Sequence, residues 1–468
     1  MIGKWSRGAR VLALTSIGVT LVSLDISIVN VAFGAIAKDF PESRRTLTWV
    51  FSAYNIAYAA GLLTAGRLAD AFGRKRAFLT GLSIFMVGSL LCAFAPSALM
   101  LVAARAVQAI GGAVLTPSSL ALVLPEFPVE KRSAAIGVWG AVGAVAAASG
   151  PTVGGFLVDT FTWHAVFLIN IPLCVLAIAI GTKLLRESRD ETAPRTVDYI
   201  GAVLAVFGVG LLTLMIVQSD EWGWVTQRAL VVLALALGFL IAFVMRCRVA
   251  AHPVLDLKLL KLPFVTAAAI SGFGFTMGFF SLIFVNTQWL QTVWNYSPSR
   301  SGLAGIPGPV MAAIVAAPAG RLAQRIGHGK VVATGAVILC SGNLFLSYWI
   351  TDTPNYLTHY LPVTVYTGIG VGLCISTISS SATAFLPQPK FAMGSALNNT
   401  ARQIGAALGV ALVSSILVSA LARNNYLEGF HTAWRLTSIV ILLSGFAMLF
   451  LFKRPTQTQL AAAHDQPS

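Results

Sequence analysis

The chain has 468 residues, of which 56% are hydrophobic and only 10% charged, against roughly 25% charged in an ordinary soluble domain. A membrane-spanning helix takes about 20 largely apolar residues, so fourteen would consume about 280 and leave only short loops and tails. These figures exclude a soluble enzyme and any extramembrane domain large enough to bury its own core. The chain reads as an all-α integral membrane protein.

Apolar windows between charged or Gly/Pro-rich breaks predict fourteen spans: 11–36, 48–68, 77–96, 99–123, 133–158, 162–184, 198–217, 229–248, 263–290, 299–322, 331–350, 359–386, 394–421 and 431–452. Lys4, Arg7 and Arg10 precede the first run. That run is too long for a signal-peptide core and carries Asp25 well inside it, so it is expected to stay as an uncleaved first span. With the N-terminus inside, the inner loops and tails hold 23 Lys/Arg and the outer loops 7, with Arg105 and Arg402 within spans. This bias sets both termini in the cytoplasm. It also accounts for the formal net charge of +15 without a nucleic-acid partner, since a basic patch needs a soluble face to sit on. Cys92, Cys174, Cys247, Cys340 and Cys374 fall in or beside apolar runs with no metal-site or disulfide spacing, and read as small core residues.

Gly66-Arg67-Leu68-Ala69-Asp70-Ala71-Phe72-Gly73-Arg74-Lys75-Arg76 has a weaker echo from Gly320 to Lys330. An echo at this distance predicts two related six-helix halves, 1–185 and 263–468, with two extra helices at 186–262. Internal repeats around a midplane site are the architecture of secondary transporters.

Asp25 is the one acid far from any span end. A mid-membrane acid costs about 2.5–3.5 kcal/mol on insertion scales. Two readings stand: a locked partner of a neighbouring Arg, or a protonatable group facing a water-filled cavity; the second is the expectation carried forward. Arg105, with Gln108 a turn on, is the obvious counter-charge. Ser16, Thr20, Ser23, Ser27 and Asn30 form a polar stripe on the same helix, but Ser27 lies about 160° from Asp25 at 100° per residue. Sequence leaves open which face meets the cavity. Asn398, Asn399, Arg402 and Gln403 lie too deep for a loop, and read as cavity lining or interhelical hydrogen-bond glue. Phe273, Phe275, Met277, Phe279 and Phe280, followed by Asn286, Gln288 and Gln291, would suit bulky apolar cargo, cationic cargo included if an acid shares the cavity.

Gly137, Gly140, Gly143, Gly150, Pro151, Gly154 and Gly155 make span 5 a helix for close approach, for rocking between conformations, or for both. Gly329-Lys330-Val331 lacks the remainder of a phosphate loop, so no ATP-driven pump is encoded. The histidines offer no membrane-embedded metal centre. No cofactor is expected.

The residues resemble the major facilitator superfamily, and specifically its 14-span drug:proton antiporter branch. The resemblance rests on Leu24–Ala32, Gly66–Arg76, Arg105-Ala106-Val107-Gln108 and Gly150-Pro151-Thr152-Val153-Gly154-Gly155. Phe167–Pro172, His252–Leu257, Tyr296-Ser297-Pro298 and Gly394–Gly405 extend it over essentially the whole chain. It implies the major facilitator fold in a 6 + 2 + 6 plan and multidrug efflux from the plasma (inner) membrane, driven by the proton gradient, by a monomer. It implies that Asp25, Arg105 and Gln108 couple protons to substrate. Gly66, Asp70, Gly73 and Arg74 would latch the cytoplasmic side. Gly150, Pro151, Gly154 and Gly155 would govern conformational exchange. Ala109, Ala146, His164 and Gln324 depart from the family pattern, and Gln324 removes the acid of the second latch. Export of an endogenous metabolite or lipid-linked precursor is the alternative, and a non-transporting sensor a more distant one.

Overall fold

The computed structural model describes residues 6–40, 44–188, 198–250, 253–386, 391–422 and 425–453, and all regular structure among them is helical. The long helices are α1 (Arg7–Asp39), α2 (Arg44–Phe72), α3 (Arg74–Ala93), α4 (Ala98–Val123) and α5 (Val129–Thr160). Then come α6 (Ala165–Leu184), α7 (Tyr199–Trp222), α8 (Gln227–Val249), α9 (Pro263–Val293) and α10 (Arg300–Ile326). The last four are α11 (His328–Trp349), α12 (Tyr356–Ser381), α13 (Phe391–Ala422) and α14 (Tyr426–Leu451). Among the described residues, thirteen helices are apolar and long enough to cross a membrane. The remaining long helix, α2, is diluted by Thr48, Trp49, Tyr54, Asn55 and Tyr58, and it turns Tyr54 and Tyr58 into the interior.

All fourteen predicted spans have a helix, but four are not continuous α-helix. The sixth is interrupted at Ile169 and the tenth at Ile306, while the ninth widens over Trp289–Val293 and the twelfth over Tyr356–Tyr360. Short polar caps start several helices: Ser6 accepts from Ala9 N–H ahead of α1, and Ser97 from Met100 N–H ahead of α4. Between α2 and α3 there is a single residue, Gly73, at φ 110°. Only glycine takes that conformation without strain. The corresponding residue between α10 and α11, Gly327, sits at φ 98°.

Two sets of helices carry separate apolar cores. Within α1–α6, Tyr54, Phe78, Leu82, Phe85 and Leu115 pack together. Within α9–α14, Phe275, Trp289, Phe430 and Trp434 do so, the Trp289 ring 5.1 Å from Trp434 and 5.2 Å from Phe430. Helices α7 and α8 pair with each other, and α7 also packs on α2 and α13. Most of α8 is exposed along an apolar face that includes Leu230, Leu237, Ile241 and Met245, as lipid contact requires.

Where water does not drive association, helices hold together by close backbone approach. A Cβ on Gly81 of α3 would lie 3.1 Å from the Gly111 carbonyl of α4, and one on Gly335 of α11 2.8 Å from the Gly370 carbonyl of α12. A Cβ on Gly154 of α5 would lie 2.8 Å from Ile28 of α1, and Gly405 of α13 abuts the Phe273 backbone of α9 in the same manner. Helix α5 also meets the other set: a Cβ on Gly137 would lie 2.9 Å from the Ala316 carbonyl of α10.

At Gly88 of α3 an added Cβ would lie 2.5 Å from the Gln108 Cα of α4, with backbone atoms that cannot swing aside. Gly88→Val is expected to cost about 1–3 kcal/mol through overpacking, read as a lowered thermal-unfolding midpoint in detergent. Gly238→Ala on α8, where nothing lies within 4 Å, is expected to leave the midpoint unchanged or raise it slightly. Equal effects from the two substitutions would contradict the packing account.

Candidate functional site

Asp25 is fully buried on α1, and Arg105 of α4, 1% exposed, forms an ion pair with its Oδ2. Gln108 Nε2 donates to Oδ1 at 2.8 Å and Asn170 Nδ2 donates to the same oxygen at 3.3 Å. Gln108 and Asn170 both donate to Ser89 Oγ as well, at 2.8 and 3.3 Å. Arg105 Nε donates to the Val50 carbonyl at 3.2 Å, and its guanidinium lies 4.1 Å from the centre of the Tyr54 ring. Helices α1, α2, α3, α4 and α6 thus converge on one carboxylate whose two oxygens both have donors, as an anion at membrane depth requires.

The cavity is elsewhere. About 520 Å³ of space lies between the two helix sets, lined by Val22, Ser23, Ile26 and Ser27 of α1 and by Tyr58, Thr116, Trp139 and Pro151. The other wall comes from Phe279, Phe280, Phe284, Gln288 and Gln291 of α9 and from Asn399, Arg402 and Gln403 of α13. The expectation that Asp25 faces a water-filled cavity is corrected. Among the described residues no acid lines this space, and Ser23 and Ser27 of the stripe do. The physical reason is the angle of about 160° between Asp25 and Ser27: one helix cannot turn both to the same space. The carboxylate goes to the side where α4 and α6 supply donors. Ser16 and Thr20 do not reach the cavity, and the side chain of Asn30 lies outside the described residues.

Asn398 is a second correction. It does not line the cavity; it lies one position, about 100°, round the helix from Asn399, with its Oδ1 toward Gly272 of α9. Phe273, Phe275 and Met277 also miss the cavity, and Asn286 instead accepts from Trp434 Nε1 at 2.9 Å.

On α5, Gly140, Gly143 and Pro151 line the cavity, and Gly143, Gly150 and Gly154 press on α1; a Cβ on Gly150 would collide with Ser27. Gly155 is buried. At the α2–α3 turn, Gly66, Gly73 and Arg74 are buried, and the side chain of Asp70 lies outside the described residues. Arg74 N–H donates to the Ser188 carbonyl at 2.9 Å. Glu187, just past α6, accepts from Lys75 and Arg76 N–H at 3.0 and 3.2 Å, placing a negative charge on the α3 N-terminus.

Glu187 and Asn170 are the residues that motif reading missed as site members. Asn170 had a signal, a lone amide in the apolar span 162–184; Glu187 had none beyond its charge. Among the described residues no three His, Cys, Asp or Glu side chains group closely enough to hold a metal ion.

Arg105→Gln would leave the Asp25 carboxylate buried without its counter-charge, a loss of about 3–5 kcal/mol. The thermal midpoint of the purified protein should fall accordingly, and the double variant Asp25→Asn, Arg105→Gln should recover a large part of it. A double variant no more stable than the single one would show that the pair does not stabilise this core.

A family model described as "Major Facilitator Superfamily" matches residues 15–274 and again 268–467. The chain is 32% identical over 412 residues to the multidrug resistance protein Stp of Mycobacterium tuberculosis (strain CDC 1551 / Oshkosh), covering 88% of this chain and 76% of that one. It is 29% identical over 465 residues to the methylenomycin A resistance protein of Streptomyces coelicolor, covering 97% and 94%. It is 33% identical over 411 residues to the puromycin resistance protein of Streptomyces alboniger, covering 86% and 80%. Among solved structures, the proton:xylose symporter XylE superposes with a TM-score of 0.69 at 13% identity, covering 98% of this chain and 99% of that one. At that identity the likeness is one of fold. Sequence and fold agree: the chain belongs to the Major Facilitator Superfamily and is a multi-pass transporter of the cell membrane.

Proposed function

We propose that the protein is a proton-coupled antiporter exporting bulky apolar small molecules, with both termini in the cytoplasm and two six-helix halves, 1–185 and 263–468, that rock about the cavity as a monomer. Relatives named for multidrug, methylenomycin A and puromycin resistance support drug efflux. One observation carries the coupling: α1 bears Asp25 on one side and cavity-lining Ser23 and Ser27 on the other.

In its charged form Asp25 holds α1 against α4 through Arg105 and Gln108. A proton neutralises the carboxylate and weakens that hold, so charged and neutral forms favour different positions of α1. Cargo presses on the opposite side of the same helix. Helix α5, seated on α1 through Gly143, Gly150 and Gly154 and on α10 through Gly137, carries the shift to the second half. Gly66, Asp70, Gly73 and Arg74 would hold the cytoplasmic side shut, with Glu187 fixing the turn on which they stand.

Purified protein in sealed vesicles with an imposed pH gradient tests this. A panel of anionic, neutral and cationic dyes is added, and cargo-dependent proton movement is followed. Wild type is expected to couple the two, and Asp25→Asn to lose proton movement entirely while inserting normally. Wild-type dye transport indifferent to the gradient would sink antiport.

A further inference from the structure

Two arginines lie at membrane depth, and their surroundings differ. Arg105 is enclosed by Asp25, Gln108, the Val50 carbonyl and the Tyr54 ring. Arg402 lines the cavity, and among the described residues its guanidinium makes one hydrogen bond, from Nη1 to Ser379 Oγ at 3.4 Å. A guanidinium offers five N–H donors in a planar fork suited to a carboxylate. No acid lines the cavity among the described residues, and the sole acid deep within a span, Asp25, is already taken by Arg105.

Arg402 is firmly mounted. Its carbonyl accepts from Thr276 Oγ1 of α9 at 2.7 Å, and a Cβ on Gly272 of the same helix would lie 3.1 Å from its Cγ. The titratable group facing it, Tyr58, shares its hydroxyl with Thr116 Oγ1 at 2.8 Å and carries no negative charge near neutral pH.

We propose that Arg402 is an anion-recognising group, and that the cargo is a bulky aromatic molecule bearing one acidic function, a carboxylate, phenolate or enolate. This rests on the transport reading above and names the class of its substrate. The anion takes the unspent donors of Arg402 while the ring system lies along Phe279, Phe280 and Phe284. A cationic aromatic of the same shape meets an uncompensated positive charge in a space of low polarity, where like charges are weakly screened. The cationic cargo considered from sequence required an acid in the cavity, and the structure places an arginine there instead.

The test uses two dyes on one xanthene skeleton: fluorescein, negative near neutral pH, and tetramethylrosamine, positive. Equilibrium binding to the purified full chain in lipid nanodiscs is measured by fluorescence anisotropy. Wild type is expected to bind fluorescein at least about tenfold more tightly, a difference of about 1.4 kcal/mol. Arg402→Lys should keep that order, Arg402→Gln should abolish it, and Arg402→Glu should reverse it. Tighter binding of tetramethylrosamine by wild type, no detectable binding of fluorescein, or an order unchanged in Arg402→Gln would each overturn the proposal. Gradient-driven transport of both dyes in vesicles is scored separately. Fluorescein preference without coupled movement leaves the substrate class standing and removes antiport, whereas coupled movement of tetramethylrosamine alone does the reverse.

Discussion

A carboxylate inside a bilayer must be given donors, and this bundle gives Asp25 three side chains from two helices. That requirement orders much of the first six helices. Arg105 and Gln108 fix the rotation of α4, and Asn170 brings in α6 just past its break. Ser89 ties α3 to both amides, and the Val50 carbonyl and Tyr54 ring position α2. Because every partner is itself engaged, removing one leaves several polar groups unsatisfied, which is why such networks hold a single geometry.

Satisfying the charge also fixes where the cavity can be. With Asp25 turned toward α4, the opposite side of α1 is left for small polar residues, and Ser23 and Ser27 meet both the cavity and α5. Glycines make this contact close. On α5, residues 143, 150 and 154 add no side chain of their own, and Val19, Ser27 and Ile28 of α1 sit against them. The α9–α13 contact uses Gly405 and Gly409 in the same way, and Gly81–Gly111 finds its counterpart in Gly335–Gly370. The repetition extends to the turns, where Gly73 and Gly327 share a left-handed conformation. These backbone devices agree across the two halves although the side chains around them diverge.

The fourteen spans were legible because lipid demands long apolar runs, a signal that survives any local sequence change. The breaks at Ile169 and Ile306 carried a mark that apolar windows pass over: Pro172 and Pro307 follow them and have no N–H for the carbonyls one turn back. Deep polar residues were equally legible as exceptions: Asp25, Arg105 and Arg402 stand out in an apolar background. Their directions were not. Helical periodicity gives angles between residues on one helix, as between Asp25 and Ser27, but the rotation of that helix is set by neighbours distant in sequence. Asn398 and Asn399 show the limit most plainly, adjacent in the chain and divided between packing and cavity. Glu187 escaped notice because its hydrogen bonds come from backbone N–H groups, which every residue but proline possesses.

Placing the ionisable group behind α1 rather than within the cavity has a chemical consequence. A cavity that contained the proton site would have to recognise cargo with the same carboxylate, so cargo charge and proton would compete for one group and the range of acceptable cargo would narrow. Here most of the wall can be built from Phe279, Phe280, Phe284 and Trp139, surfaces that grip by area and so tolerate varied shapes, with Arg402 and a few amides as the directional contacts. On the antiport reading, coupling passes through movement of α1, since among the described residues none of the side chains that hold Asp25 lines the cavity. On that reading, a helix held on one side by an ion pair and seated on the other against glycines moves once neutralising the charge loosens the first contact.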